Sequence, residues 1–373
     1  MLPHFSINIR LLESATNRVV TRYYYHKYCK SKNSWLTQLV ARRFMAAQGQ
    51  EEVKQATGLL KRPEHLELTS LQKRHPDIVP AEIVSIEDLS PTIKGFTLQI
   101  TAPHDNKTPP LTFKAGQWVD FFIPGVNHVG GFSMCSEPAK LEKLGQMDLA
   151  IKFSTWPPAN WLHTKAEVGS KVAFRIGGEF HYPNTTTDGF PCGDGMGNGH
   201  DLLLVAGGVG INPIASIFFH THQLEQQKIH QDRDNICRVN LLYSSRTKDE
   251  LIFRENIEKV VRSNILQCDK ETSIANRFKA SFFVTQETRD DEIDVGDKSS
   301  SVKYGRIDRN ALIESIQKFS STESDPEDAM ASGTNRPMFS YLCGPPEMIK
   351  NIANILINDL KVPKDHVFYE MWW

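Results

Sequence analysis

The chain has 373 residues, enough for two cored domains with extensions, and its 40% hydrophobic and 23% charged content is ordinary for a globular protein. Forty-three basic residues against 44 acidic ones leave no global charge to recruit nucleic acid or acidic lipid. No run approaches the roughly 18 apolar residues of a spanning helix, and six cysteines without CxxC-like spacing argue against a zinc or iron–sulfur site.

Residues 1–49 carry eight Lys or Arg against one acid, Glu13. Leu2, Phe5, Ile9 and Leu12 share one helical face, with arginines scattered off it. A basic, amphipathic, acid-poor start has the composition of a mitochondrial presequence. Arg10 interrupts the apolar core that a secretory signal needs, and a basic tail without an address is the alternative. Residues 50–77 are polar and helix-prone and read as a connector.

Between 78 and 186 the pattern changes to short apolar runs bounded by Pro and Gly. It predicts strands near 80–87, 94–101, 116–123, 130–136, 147–153 and 171–176, the signature of a small antiparallel barrel or sandwich. Residues 188–200, with five glycines in thirteen, mark a boundary. From 200 to 373 strands alternate with helices. Strands 202–206, 237–243, 281–285, 338–343 and 366–371 alternate with helices 212–228, 250–262, 308–319 and 346–360. This predicts a doubly wound, five-stranded parallel sheet. Two insertions rich in Asp, Glu and Ser, 286–304 and 320–337, read as surface loops.

Two motifs stand where strands of that sheet give way to helices. Gly207-Gly208-Val209-Gly210-Ile211-Asn212-Pro213 follows the first strand, and Cys343-Gly344-Pro345-Pro346-Glu347-Met348 follows the fourth. Glycines permit positive φ and close approach of a backbone to phosphates, and a helix start aims free N–H groups at them. Pro213 falls in a first helical turn, where a missing N–H costs little. Right-handed crossovers place both turns at the same edge of the sheet, so a nicotinamide dinucleotide is the expected ligand.

An all-β domain followed by a domain with GxGxxP and CGPPxM resembles the ferredoxin–NADP reductase superfamily. More narrowly, the chain is similar to the oxidoreductase NAD-binding domain-containing proteins of animals. The likeness covers roughly residues 78–373 and rests on Ala115-Gly116-Gln117-Trp118-Val119, Gly131-Phe132-Ser133-Met134, Gly208 to Pro213, Cys343 to Met348 and the terminal Glu370-Met371-Trp372-Trp373. It implies an FAD-binding barrel and a flavin-dependent NAD(P)H oxidoreductase that passes hydride from nicotinamide to FAD and electrons to an unidentified acceptor.

By that resemblance Ser133 meets flavin N5, Cys343 lies beside the reacting nicotinamide carbon, and Glu370 moves a proton or orients the nicotinamide. Trp372, or Trp373 if the chain turns, stacks on the flavin ring. Phe132 and Met134 complete the flavin contact, and Gly344 and Pro345 the second lip of the nucleotide crevice. Ser245 and Arg246, after the second parallel strand, reach the adenosine end, where a 2′-phosphate would signal NADP. The following Thr247-Lys248-Asp249-Glu250-Leu251 looks more like an NADH-using branch, so NAD and NADP both stay open.

The chain departs from the pattern on the flavin side. Gly130 stands where the superfamily has an arginine for the flavin diphosphate, and Phe132 replaces a tyrosine. Trp156-Pro157-Pro158-Ala159-Asn160-Trp161 replaces a GxxS turn. Lys152, Lys165, Arg175 or a helix starting at Pro158 are the candidate substitutes. Two other readings follow from these departures: a nicotinamide-binding redox sensor or interaction protein without tight flavin, and an enzyme that meets flavin as a diffusing substrate.

Overall fold

The computed structural model describes residues 64–101, 111–182, 199–228, 237–266, 277–287, 302–319 and 336–371. The expected presequence 1–49, most of the connector, insertion 320–337 up to residue 335, and both terminal tryptophans lie outside these residues.

A short helix, α1 (His65–Leu68), precedes six antiparallel strands. They are β1 (Val79–Ser90), β2 (Ile93–Ile100), β3 (Trp118–Phe122), β4 (Gly130–Ser133), β5 (Gln146–Lys152) and β6 (Lys171–Gly177), in the order β4-β3-β6-β1-β2-β5. A bridge between Met134 and Leu149 joins the two ends of that order and closes the sheet into a barrel. Alternation builds the core: Phe96 and Leu98 of β2 point inward while Thr97 and Gln99 do not. Helices α2 (Pro138–Leu144) and α3 (Pro157–Thr164) flank β5.

Strand β3 breaks the alternation, because all five of its residues are buried. Val119 and Phe121 fill the barrel, while Phe122 packs outside it against Ile78, Val129 and Ala173. Trp118 and Asp120 share that outer face, which residues 65–78 cover.

The second sheet runs β10-β9-β8-β7-β11-β12, all parallel. Its strands are β7 (His200–Gly207), β8 (Cys237–Ser245), β9 (Phe278–Val284), β10 (Val302–Tyr304), β11 (Met338–Gly344) and β12 (Val367–Met371). A 3₁₀ turn (Gly208–Gly210) leads into α4 (Ile211–Lys228); α5 (Arg254–Leu266), α6 (Arg309–Gln317) and α7 (Pro346–Asn354) follow β8, β10 and β11. The chain reverses direction of travel across the sheet between β7 and β11, so both glycine motifs flank the topological switch point where such sheets bind ligands.

The sheet has six strands, not the five expected. The extra one, β10, closes the stretch 286–304 that reads as a loop. Three residues are too few to show a period, and this edge strand is fixed by backbone pairing to Phe282–Val284. The helix expected over 346–360 continues past α7 as a π-turn at Ile355–Asp359.

Candidate functional site

The fully buried β7 delivers the chain to Gly207, and Gly208 then takes φ +56° with nothing within 4 Å of where a Cβ would stand. That open, left-handed corner is the cradle a phosphate-bearing ligand needs, at the head of the 18-residue α4. Gly210 has the opposite reason to be glycine: its Cβ would lie 2.3 Å from the Cys343 carbonyl oxygen. A Cβ on Gly207 would meet Met348 Sδ at 2.6 Å and Pro345 Cδ at 2.8 Å, and Gly344 sits directly over Gly207. The two motifs therefore interlock into one floor. The residues present fit a dinucleotide. Val209 is half-buried, whereas the side chains of Ile211 and Pro213 are in the core, so only their backbones can face a ligand.

Cys343 is fully buried and pairs with Ala206 on one side and Glu370 on the other, so these three side chains share a face. Tyr341 and Phe368 continue that face and stack at 4.9 Å. It turns toward the barrel, since Ile93, Ala115, Cys135 and Ala150 belong to the same apolar cluster. Glu370 is half-buried at the rim. Trp372, expected to stack on the flavin ring, falls outside the described residues.

The interface is pinned by polar contacts from the nucleotide domain. Asn212 Nδ2 donates to the Ala150 carbonyl at 2.6 Å and Ser216 Oγ to the Ser136 carbonyl at 2.7 Å, both buried. Lys152 Nζ lies 2.7 Å from Glu250, which also accepts from Thr92. Burial raises the Glu250 carboxyl, but the Lys152 hydrogen bond and charge more than reverse this and lower its pKa. Asn212 thus has two faces: its Oδ1 is buried without a partner among the described residues.

At the expected adenosine end, Ser245 is buried and its hydroxyl donates to the Thr247 carbonyl at 2.5 Å, while Arg246 is exposed. The flank of the domain junction away from the glycine motifs holds a cleft of about 940 Å³ lined by residues such as Phe96, Cys135, Phe219 and Phe253. Neither the glycine motifs nor Ser133 line it, so its size does not make it the centre of the chemistry.

On the barrel side, Ser133 is buried opposite Trp118, and among the described residues its hydroxyl has no hydrogen-bond partner. Phe132 turns its ring toward the barrel, edge-on to Phe121 at 5.7 Å and across Gly130. Met134 is fully buried. A Cβ on Gly131 would stand 2.1 Å from His65 Nδ1, so the α1 segment lies directly on β4.

A buried ion network, unseen in the sequence, holds that segment. Asp120 receives His65 Nε2 at 3.0 Å, Arg74 Nε at 2.9 Å, and Arg175 Nε and Nη2 at 2.9 and 2.6 Å. Burial pushes the Asp120 carboxyl up, but the His65 hydrogen bond and the Arg175 and Arg74 charges bring its pKa down to about 2. Arg74 also lies over the Trp118 ring at 5.0 Å. The signal for this network was a lone carboxylate inside the apolar run Trp118-Val119-Asp120-Phe121-Phe122, which requires cations from elsewhere.

The donor set between Gly130 and residues 156–161 does not fit the diphosphate of FAD. Arg175 is held by Asp120 and Lys152 by Glu250, while Lys165 is exposed at the C-terminal end of α3, away from its start. Helix α3 opens on Pro157-Pro158, so its first two positions offer no N–H, and the Asn160 N–H is bonded to the Trp156 carbonyl. The His128 ring rests on Trp156 at 4.8 Å, and His128 Nε2 lies 4.0 Å from the Glu64 carboxylate, an anion in a place that calls for cations.

Barrel, switch-point crevice and interface define a two-domain reductase fold of the ferredoxin–NADP reductase type. Residues 204–354 match the oxidoreductase NAD-binding domain. The chain is 35% identical over 313 residues to oxidoreductase NAD-binding domain-containing protein 1 of Danio rerio, covering 84% of this chain and 98% of the relative. The human protein of that name is 32% identical over 314 residues, covering 84% and 86%. The chain belongs to this family of oxidoreductase NAD-binding domain-containing proteins.

Solved structures with the same fold include the cytochrome b5 reductase domain of Ulva prolifera nitrate reductase. It has a TM-score of 0.52 and 18% identity over 79% of this chain and 97% of that one. A ferredoxin NADP+ reductase from Neisseria gonorrhoeae, solved with bound FAD and NADP, gives 0.51 and 19% over 79% and 99%.

Proposed function

We propose that this protein is an NAD(P)H-dependent oxidoreductase that delivers hydride across its domain interface to an acceptor taken up beside Ser133. The observation that carries this reading is the interlock of Gly210 on the Cys343 carbonyl, at the switch point and on the sheet face turned to the barrel. The dinucleotide, when bound, supplies the hydride. Gly207 to Ile211 cradle its phosphates, and Cys343 and Glu370 form the wall and rim of the nicotinamide end. Asn212, Ser216 and Glu250 hold the barrel at a fixed distance from that end. The apolar packing around Cys343 excludes water, so hydride is not lost to solvent.

Saturable binding of NADH or NADPH by the full chain, together with its oxidation at 340 nm when an acceptor is supplied, tests the reading. A chain that binds neither nucleotide would sink it. The flavin-side donor set favours a second reading, a nicotinamide-binding redox sensor, which predicts nucleotide binding without turnover for any acceptor. The basic, acid-poor residues 1–49 support a mitochondrial address. A fluorescent protein fused after residue 49 would reach mitochondria, and a purely cytosolic signal would overturn that address.

A further inference from the structure

We propose that the acceptor is a flavin recognised by its ring alone, a substrate that enters and leaves at each turnover rather than a resident FAD. This rests on the nicotinamide reading above. Two observations meet at β4. At its C-terminal end, Ser133 keeps a hydroxyl that no described residue engages, opposite the fully buried Trp118. At its other end, the ground that a flavin's phosphates would occupy is filled from within the chain.

Gly131 lies under His65 and Gly130 under the Phe132 ring. Glu64, His128 and Trp156 stand together between β4 and α3. Lys152 and Arg175 are held in ion pairs, Lys165 lies at the far end of α3, and α3 begins with two prolines. Each phosphate that finds no cation or N–H donor here weakens binding roughly ten- to a hundredfold, enough to turn a retained cofactor into one that exchanges.

In the reaction, the C4–H bond of NAD(P)H breaks and its hydride forms an N–H bond at flavin N5. Flavin N1 takes a proton from solvent, and NAD(P)+ and dihydroflavin leave. Ser133 meets N5, and the ribityl tail with any phosphate projects to solvent, unread.

The test uses the full chain, purified by gel filtration. Its absorbance near 450 nm is recorded, and NADH oxidation is followed anaerobically with riboflavin, FMN or FAD. The expected result is a colourless protein whose kcat/KM values for the three flavins agree within about threefold, because a phosphate that was read would separate them by roughly tenfold or more. Ser133→Ala should raise KM for all three flavins alike and leave KM for NADH unchanged. Stoichiometric flavin after gel filtration, riboflavin at least about tenfold poorer than FAD, or unchanged flavin KM in Ser133→Ala would each overturn the proposal. Saturable NADH binding with no flavin reduced would overturn it too while leaving the nucleotide site intact. Absence of NADH binding would remove the underlying reading as well.

Discussion

Replacing Asp120 with Asn should destabilise the barrel at neutral pH and erase a pH dependence that the wild type shows in acid. The carboxylate is fully buried, and three guanidinium N–H groups from Arg74 and Arg175 converge on its Oδ2 while His65 holds Oδ1. Asparagine keeps the shape but leaves two part-buried guanidinium groups facing a neutral acceptor, a loss on the order of 3 kcal/mol. The wild-type carboxyl titrates at about 2 instead of 3.8. A depressed folded pKa gives stability that is complete above 3.8 and disappears as pH falls toward 2. Its size is about 2.4 kcal/mol, with roughly half gone at pH 3.

Urea unfolding of both proteins between pH 7 and pH 3 measures this directly. The gap between them should be constant above pH 5 and narrow by about 1 kcal/mol by pH 3. A gap that is absent at pH 7, or that does not change in acid, would refute the account of Asp120. Because His65 lies on Gly131, two residues from Ser133, the same variant should also raise the acceptor KM.

Gly210→Ala forces a methyl group to 2.3 Å from the Cys343 carbonyl, so the two motifs must separate. A loss on the order of 1–3 kcal/mol, or roughly 2–4 °C in Tm per kcal/mol, is expected by scanning fluorimetry, and an unchanged Tm would contradict the interlock. Asn212→Ala removes the Ala150 hydrogen bond but also a buried, unpartnered Oδ1, so stability should change by less than about 1 kcal/mol. Its kcat should fall with little change in nucleotide KM; the reverse pattern would assign Asn212 to binding alone. With the Ser245 hydroxyl turned onto Thr247, a 2′-phosphate would find Arg246 alone of this pair, so NADPH binding should depend on that side chain. Arg246→Ala should weaken NADPH binding and leave NADH unaffected, and an equal loss for both would place Arg246 elsewhere.

The fold was legible because most elements announce their period. Alternation such as Phe96 and Leu98 against Thr97 and Gln99 marks a half-buried strand, and the buried run Leu202 to Ala206 before a glycine turn marks a parallel one. Val302–Tyr304 gave no such signal, since three residues carry no period. The glycine turn proposed to cradle the nucleotide was legible for the same local reason: its geometry is a property of closely spaced glycines.

The barrel side was not, because its properties depend on partners far along the chain. Arg175 and Lys152 read as free cations until Asp120, 55 residues from Arg175, and Glu250, 98 residues from Lys152, are brought beside them. Phe132 reads as an aromatic face for a flavin, yet the register of β4 against β3 turns its ring onto Phe121. His65 lies 55 residues from Asp120, in a stretch whose composition suggests only a connector.

On the proposed reading, a nicotinamide dinucleotide lies against Gly208. Titration of NADH into the wild type and into Gly208→Ala tests it most directly. Nothing within 4 Å obstructs the added methyl, and its φ of +56° costs only about 1–2 kcal/mol, so the variant should fold. The wild type should bind one NADH saturably, and the variant should bind at least about tenfold more weakly, because the methyl fills the space a phosphate approaches. Equal affinities in the two proteins, with both folded, would contradict the account.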